Sequence, residues 1–171
     1  MHGKKWRAMT DDDGRELPLD AARSGDPAAI TRFYDRFGET VYRVAYRFMG
    51  STADAEDVVQ DVFLGLPEAL KSFAARGRLE GWVKRVTVRT ALMKLRRERI
   101  RRESPLDESF VNQRATPDGN PVDRIALERA LSNLPLQLRT VFLLKEVEGY
   151  KHAEIAEILG ITVTASKIQL Y

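Results

Sequence analysis

The acidic residues Asp54, Asp57 and Asp61 recur at helical spacing, with Leu64 and Glu68 continuing the same face and Ala55, Val59, Val62 and Leu66 opposite. Carboxylates at such density can ligate metals, share acid–base work or dock a basic partner. The first two uses need further groups converging from another element, and the sequence identifies none. A carboxylate strip containing one apolar residue suits a basic helical partner. On charge alone, an ordinary solvated surface is the better explanation.

A basic segment balances this acidic one. From Arg76 to Arg102 eleven bases stand against two acids, a net of +9 in a chain whose total is +3, so the remainder carries −6. That asymmetry points to a polyanion for one region and a basic partner for another. On a regular helix Trp82, Arg85, Arg89 and Arg96 fall within a stripe ~60° wide, and Phe73, Arg76 and Arg78 lie just upstream. Aromatics beside cations suit single-stranded nucleic acid, because bases stack on the rings while Arg and Lys follow the backbone. Taken singly, Phe73 and Trp82 are better explained as core and the arginines as a solvated face. The run from Lys94 to Arg102 is harder to explain so, because it repels itself without counter-charge.

The third cluster is YKHAEIAEILGITVTASKIQLY, residues 150–171, which reads as a helix, a tight turn at Gly160 and a second helix. Val163, Ser166 and Leu170 share its inward face, and Thr164, Lys167, Ile168 and Tyr171 its outward one. A helix presenting Thr, Lys and Tyr can reach phosphates and base edges from the major groove. A plain αα-hairpin is the alternative, and charge does not decide, since residues 122–171 hold six bases and six acids.

Catalysis has no constellation. His2 and His152 lack companions, and His152 is expected to decorate the hairpin surface. Cysteine is absent, which removes disulfides, zinc–thiolate sites and thiol nucleophiles. No Gly-rich phosphate loop occurs. We therefore expect no catalytic residue, no metal site and no cofactor. No apolar run approaches the ~20 residues that span a bilayer, so the expected location is the cytoplasm, without membrane insertion.

Helical periodicity dominates, and the fold class expected is all-α: two small helical domains on a flexible linker. Residues 1–16 read as a flexible N-terminal tail, with Met9 a second candidate start. Residues 17–102 form the first domain. Its first helix runs from Pro27 to Met49, with Ile30, Phe33, Tyr34, Phe37, Val41, Val44 and Ala45 as an apolar stripe closed by Gly50. Ser51 offers an N-cap for a helix from Thr52 towards Leu70, which Pro67 kinks or divides. A third helix is expected from about Trp82 to Arg102. Residues 103–121, ESPLDESFVNQRATPDGNP, are a linker by composition. Residues 122–171 hold about four short helices. Their expected core is Ile125, Leu127, Leu131, Leu134, Leu138, Val141, Phe142, Leu144, Ile155, Leu159 and Leu170.

In this order, DAEDVVQDVFLGL (54–66), SFAARGRLEGWVKRVTVRTALMKLRRE (72–98) and LPLQLRTVFLLKEVEGYKHAEIAEILGI (134–161) resemble bacterial sigma factors of the extracytoplasmic-function type, in the sigma-70 family. The resemblance runs from about Leu17 to Tyr171. It implies that the 54–66 helix grips the clamp helices of the large subunit of core RNA polymerase through Asp54, Glu56, Asp57, Gln60, Asp61 and Leu64. It implies that the next segment opens and reads the −10 promoter element through Phe73, Arg76, Arg78, Trp82, Lys84, Arg85, Arg89, Arg96 and Arg97, with a flipped base held by a loop such as 74–81. The terminal hairpin would read the −35 element as duplex DNA through Lys151, Thr162, Thr164, Lys167, Ile168 and Tyr171. An anti-sigma factor covering both domains and a monomeric free state are further implications.

Three departures from the family pattern stand out. Arg89 replaces the usual Asn of the −10 helix. Where recognition helices often read G-T-V-[KR]-S-R, this chain has Thr164-Ala165-Ser166-Lys167-Ile168-Gln169. The family helix also continues into an Arg-rich turn, so the chain is expected to be cut short after Tyr171. The competing function is a stand-alone helix-turn-helix transcription regulator, which would leave the acidic strip and the Phe73–Trp82 segment without a purpose. Charge reversal at Asp57 and Asp61 separates the two readings, because only a sigma factor would lose polymerase.

Overall fold

The structure is a computed structural model that describes residues 9–10, 16–73, 78–102, 131 and 134–170. It divides into two compact units, Met1–Gln113 and Arg114–Tyr171, and the division falls inside the stretch expected to be a linker. Residues 103–121 themselves lie outside the described residues, as do the core candidates Ile125 and Leu127.

The first unit opens with two residue pairs in antiparallel register, β1 (Met9–Thr10) against β2 (Glu16–Leu17). The expected flexible tail thus includes one short backbone pairing, and Leu17 at its end is buried. A five-residue helix follows, α1 (Leu19–Arg23), too short to produce a periodic signal. Helix α2 (Pro27–Met49) starts where Asp26 accepts the Ala29 N–H at 2.8 Å and Pro27 occupies a position that needs no donor. It stops at Gly50, whose φ of 70° gives a left-handed cap. Ser51 caps α3 (Thr52–Leu64) by accepting the Asp54 N–H.

Helix α3 cannot run on through Pro67, which has no N–H for the carbonyl four residues back. The chain breaks at Gly65 and restarts as α4 (Leu66–Lys71) with Pro67 in its first turn. Helix α5 (Leu79–Arg102) begins three residues before the expected Trp82 and brings Leu79 and Val83 into the core.

Helices α2, α3 and α5 pack against one another around Phe33, Phe37, Val41, Val44, Val58, Val62, Val88 and Ala91. Buried Thr87 returns its hydroxyl to the Val83 carbonyl at 2.9 Å, so no polar group is stranded there. Tyr34 departs from the expected stripe: it is 53% exposed, at the edge of the α2 face, where its hydroxyl can stay wet.

In the second unit, α6 (Leu136–Phe142) continues into a π-helical turn, Leu143–Val147, closed by Glu148 N–H to the Leu143 carbonyl. The hairpin follows as α7 (His152–Leu159) and α8 (Val163–Ile168). Its core holds Val141, Leu143, Leu144, Ile155 and Ala156 together with polar Thr140 and Ser166. Leu134 and Val163, both expected inside, are 39% and 42% exposed. Each lies just outside or at the first turn of its helix, beyond the packed face. No helix among the described residues is long and apolar enough to cross a membrane.

Candidate functional site

Helix α3 presents its polar residues on two different sides. Towards α5, Lys94 Nζ lies 2.6 Å from Asp57 Oδ2 and 3.5 Å from Asp54 Oδ1. The Lys94 side chain is 18% exposed against 64% for Asp57, so the ammonium sits under the carboxylates. Burial works against its charge. The hydrogen bond and charge of Asp57, joined by Asp54, outweigh that and hold its pKa above the ordinary lysine value. Asp61 follows on this side, in a trough that α5 closes with Trp82, Arg89, Met93, Lys94 and Arg97.

On the other side of α3, Glu56, Gln60 and Leu64 line an open groove of about 700 Å³ with Ile30, Tyr34, Gly38 and Tyr42 of α2. Leu64 is 73% exposed, and Tyr34 stands edge-on to Phe63 with ring centroids 5.0 Å apart. The six α3 residues that the sequence grouped together therefore form two sets. Asp54, Asp57 and Asp61 face cations of the same chain, whereas Glu56, Gln60 and Leu64 rim an aromatic groove. Tyr34 and Tyr42 belong to that groove without having been singled out for it. Their signal was available in the exposed edge of the α2 stripe.

The −10 set is arranged around one aromatic pair. Phe73 is buried at 4% exposure with its ring 5.0 Å from that of Trp82, which is half-buried. Phe73 is therefore a support and cannot itself stack a base; Trp82 is the accessible ring of the two. Arg23 fixes this support. It donates from Nε to the Leu70 carbonyl at 3.1 Å and from Nη2 to the Phe73 carbonyl at 3.2 Å, satisfying the end of α4. Nothing in the sequence pattern links Arg23 to residues some fifty positions away. Lys84 pairs with Glu80 at 3.0 Å, Arg85 is half-buried, and Arg78, Arg89, Arg96 and Arg97 are exposed. Arg76 lies outside the described residues.

In the hairpin, Gly160 takes φ 66° and ends α7, a conformation that costs a side-chain-bearing residue ~1–2 kcal/mol. Thr162 uses its hydroxyl to cap α8, accepting the Ala165 N–H at 3.0 Å. Lys151 is exposed at the start of α7, its backbone N–H held by Glu154. Thr164, Lys167 and Ile168 are all exposed on α8, and Tyr171 lies outside the described residues. Ser166 points inward and is fully buried. Its hydroxyl meets His152 Nδ1 at 2.9 Å, so His152 is a buried-side partner and not the expected surface decoration. Among the described residues no group of His, Asp and Glu could hold a metal ion.

The family profile of Sigma-70 region 2 matches residues 33–101, and that of Sigma-70 region 4 matches residues 124–171. The ECF RNA polymerase sigma factor SigE of Mycolicibacterium smegmatis is 30% identical, covering 97% of this chain and 67% of its own. The ECF RNA polymerase sigma factor SigM of Mycobacterium tuberculosis is 28% identical, covering 84% of this chain and 72% of its own. Among solved structures, the sigma factor RpoE of Bartonella quintana, seen with the anti-sigma factor NepR, superposes with a TM-score of 0.66. It shares 20% identity and covers 82% of this chain and 88% of its own, a likeness of fold.

Proposed function

The chain belongs to the extracytoplasmic-function sigma factors of the sigma-70 family, and from that premise we propose how its surfaces divide the work. As a sigma factor it gives core RNA polymerase its promoter specificity. It acts by binding and strand separation and carries out no bond chemistry of its own. Core polymerase docks on the groove between α2 and α3, through Glu56, Gln60 and Leu64 with Tyr34 and Tyr42. Exposed aromatic and aliphatic groups beside two polar side chains are the composition of an interface centre. The carboxylates Asp54 and Asp57 serve chiefly to hold α5 through Lys94, while Asp61 marks the border with the DNA side.

The −10 element, as separated strand, follows the trough between α4 and α5. Trp82 offers a stacking face there, and Arg78, Arg85, Arg89, Arg96 and Arg97 follow the phosphates. Extruding a base costs a few kcal/mol, which these contacts must offset. The hairpin reads the −35 element as duplex through Lys151, Thr164, Lys167 and Ile168. Thr162 contributes through the cap that orients α8, and Tyr171 extends the face. An anti-sigma factor that covers the same groove would keep the free chain, a monomer, from polymerase in the cytoplasm.

The observation that carries this reading is the open aromatic groove on the side of α3 away from the basic helix. The test is co-elution with bacterial core polymerase of the wild type, Leu64→Glu/Gln60→Lys and Asp57→Lys/Asp61→Lys. The groove variant should lose polymerase while keeping its helical content, and the aspartate variant should lose less. Binding unaffected by the groove variant but abolished by the aspartate variant would return the docking role to the carboxylates. No polymerase binding by the wild type, with duplex DNA still bound, would favour the stand-alone regulator.

A further inference from the structure

The reading face of α8 carries an aliphatic side chain where its neighbours are polar. Ile168 is 71% exposed, one turn beyond exposed Thr164 and next to exposed Lys167. It does not supplement the hydrophobic core, because Ser166 is the α8 residue that points inward. Single exposed aliphatics are common on protein surfaces. This one, however, stands on the helix proposed above to read duplex DNA, and a β-branched side chain has few rotamers, so its methyls occupy a defined place.

Every base presents hydrogen-bond donors or acceptors on its major-groove edge, and thymine alone adds a methyl group, at C5. An isoleucine offers no hydrogen bond, so against G, C or A it leaves a base-edge polar group without its water. Against thymine it meets a methyl and both are removed from water. We propose that Ile168 is a specificity-determining residue that reads a thymine methyl in the −35 element. The proposal rests on the sigma-factor reading of the hairpin and adds the chemical group it selects. Lys167, adjacent on the same face, supplies phosphate attraction that is blind to sequence.

The test uses holoenzyme reconstituted from the full chain and bacterial core polymerase, selecting from duplex promoters randomised in the −35 and −10 elements. Wild type should enrich thymine at one −35 position, Ile168→Val should retain that enrichment, and Ile168→Ser should lose it there alone. In the selected promoter, deoxyuridine at that position removes only the methyl. This should weaken wild-type binding about fourfold, the value of one buried methyl-sized group, and leave Ile168→Ser unchanged. Equal loss in both proteins, or enrichment of a base other than thymine that Ile168→Ser abolishes, overturns the proposal while the sigma-factor reading stands. Failure of the wild-type holoenzyme to enrich any −35 sequence overturns the promoter-reading role of the hairpin itself, and with it the proposal.

Discussion

Replacing Lys94 with Met removes the ammonium that joins α5 to α3 and keeps most of the aliphatic stem. Exposed ion pairs contribute ~0.2–1 kcal/mol. The 64% exposure of Asp57 keeps this one within that range, while the 18% exposure of Lys94 and its second carboxylate place it at the upper end. Asp54 and Asp57, three residues apart on one helix, would then repel each other by a further ~0.2–0.5 kcal/mol. The loss expected for Lys94→Met is therefore about 1–1.5 kcal/mol, of which the Lys94–Asp57 coupling is about 1 kcal/mol. For a unit near 100 residues that lowers Tm by roughly 4–10 °C.

Trp82 packs in the first unit and the sequence has no tryptophan beyond it, so the change in its fluorescence during denaturation reports on that unit. The assay is a double-mutant cycle of Lys94→Met, Asp57→Asn and the pair, with Lys94→Asp/Asp57→Lys as the charge swap. The folded-state pKa of Lys94 is raised, so its contribution is complete below the ordinary value of 10.5 and is lost as pH climbs through the higher folded value. The gap between wild type and Lys94→Met should stay flat from about pH 6 to 9 and close only in strong alkali. Additivity of the two single variants within ~0.3 kcal/mol would refute the reasoning, because uncoupled residues add to about that tolerance.

Three further outcomes are expected. Ser166→Ala leaves His152 Nδ1 without its buried partner and should cost the second unit ~0.5–1.5 kcal/mol by circular dichroism melting. Gly160→Ala meets open space, so only the backbone strain at φ 66° counts; it should lose ~1–2 kcal/mol and weaken −35 duplex binding by holoenzyme. Arg23→Met should release the Leu70 and Phe73 carbonyls and lower first-unit stability by about 1 kcal/mol, and it should slow promoter opening seen by permanganate reactivity of unpaired thymines.

Local signals located most of the helices. The caps at Asp26 and Ser51, the left-handed Gly50 and Gly160, and Pro67 each act within four residues of themselves, so the sequence displays them directly. The 3.6-residue stripe of α2 likewise survives as Phe33, Phe37, Val41 and Val44 in the core. The content of the surfaces was less legible, because a helix face is only half of a surface. Asp54 and Asp57 share an angular face with Asp61, yet what neutralises them is Lys94, 37 positions beyond Asp57. The groove required the pairing of α2 with α3 before Tyr34 could be recognised as part of it. Phe73 and Trp82 read as equivalent aromatics until their packing showed one beneath the other. The Ser166–His152 bond joins an inward-facing hydroxyl to a histidine expected on the surface, and neither residue's own position announces the other.

Gly38 sits in the interior of the 23-residue helix α2, where glycine costs ~0.5–1 kcal/mol relative to alanine. A Cβ there would meet the Tyr34 ring at 3.6 Å, an ordinary contact, so nothing in the packing forbids alanine. A chain selected for folding alone would carry it. Because Gly38 lines the groove proposed to receive core polymerase, an added methyl would make that groove shallower between Tyr34 and Tyr42. Gly38→Ala should therefore raise the melting temperature of the first unit and weaken capture by core polymerase. One position would then trade durability of the free protein against competitiveness for a shared enzyme. On the proposed docking, variation at residue 38 would then tune how strongly this factor captures polymerase without touching the residues proposed to read DNA.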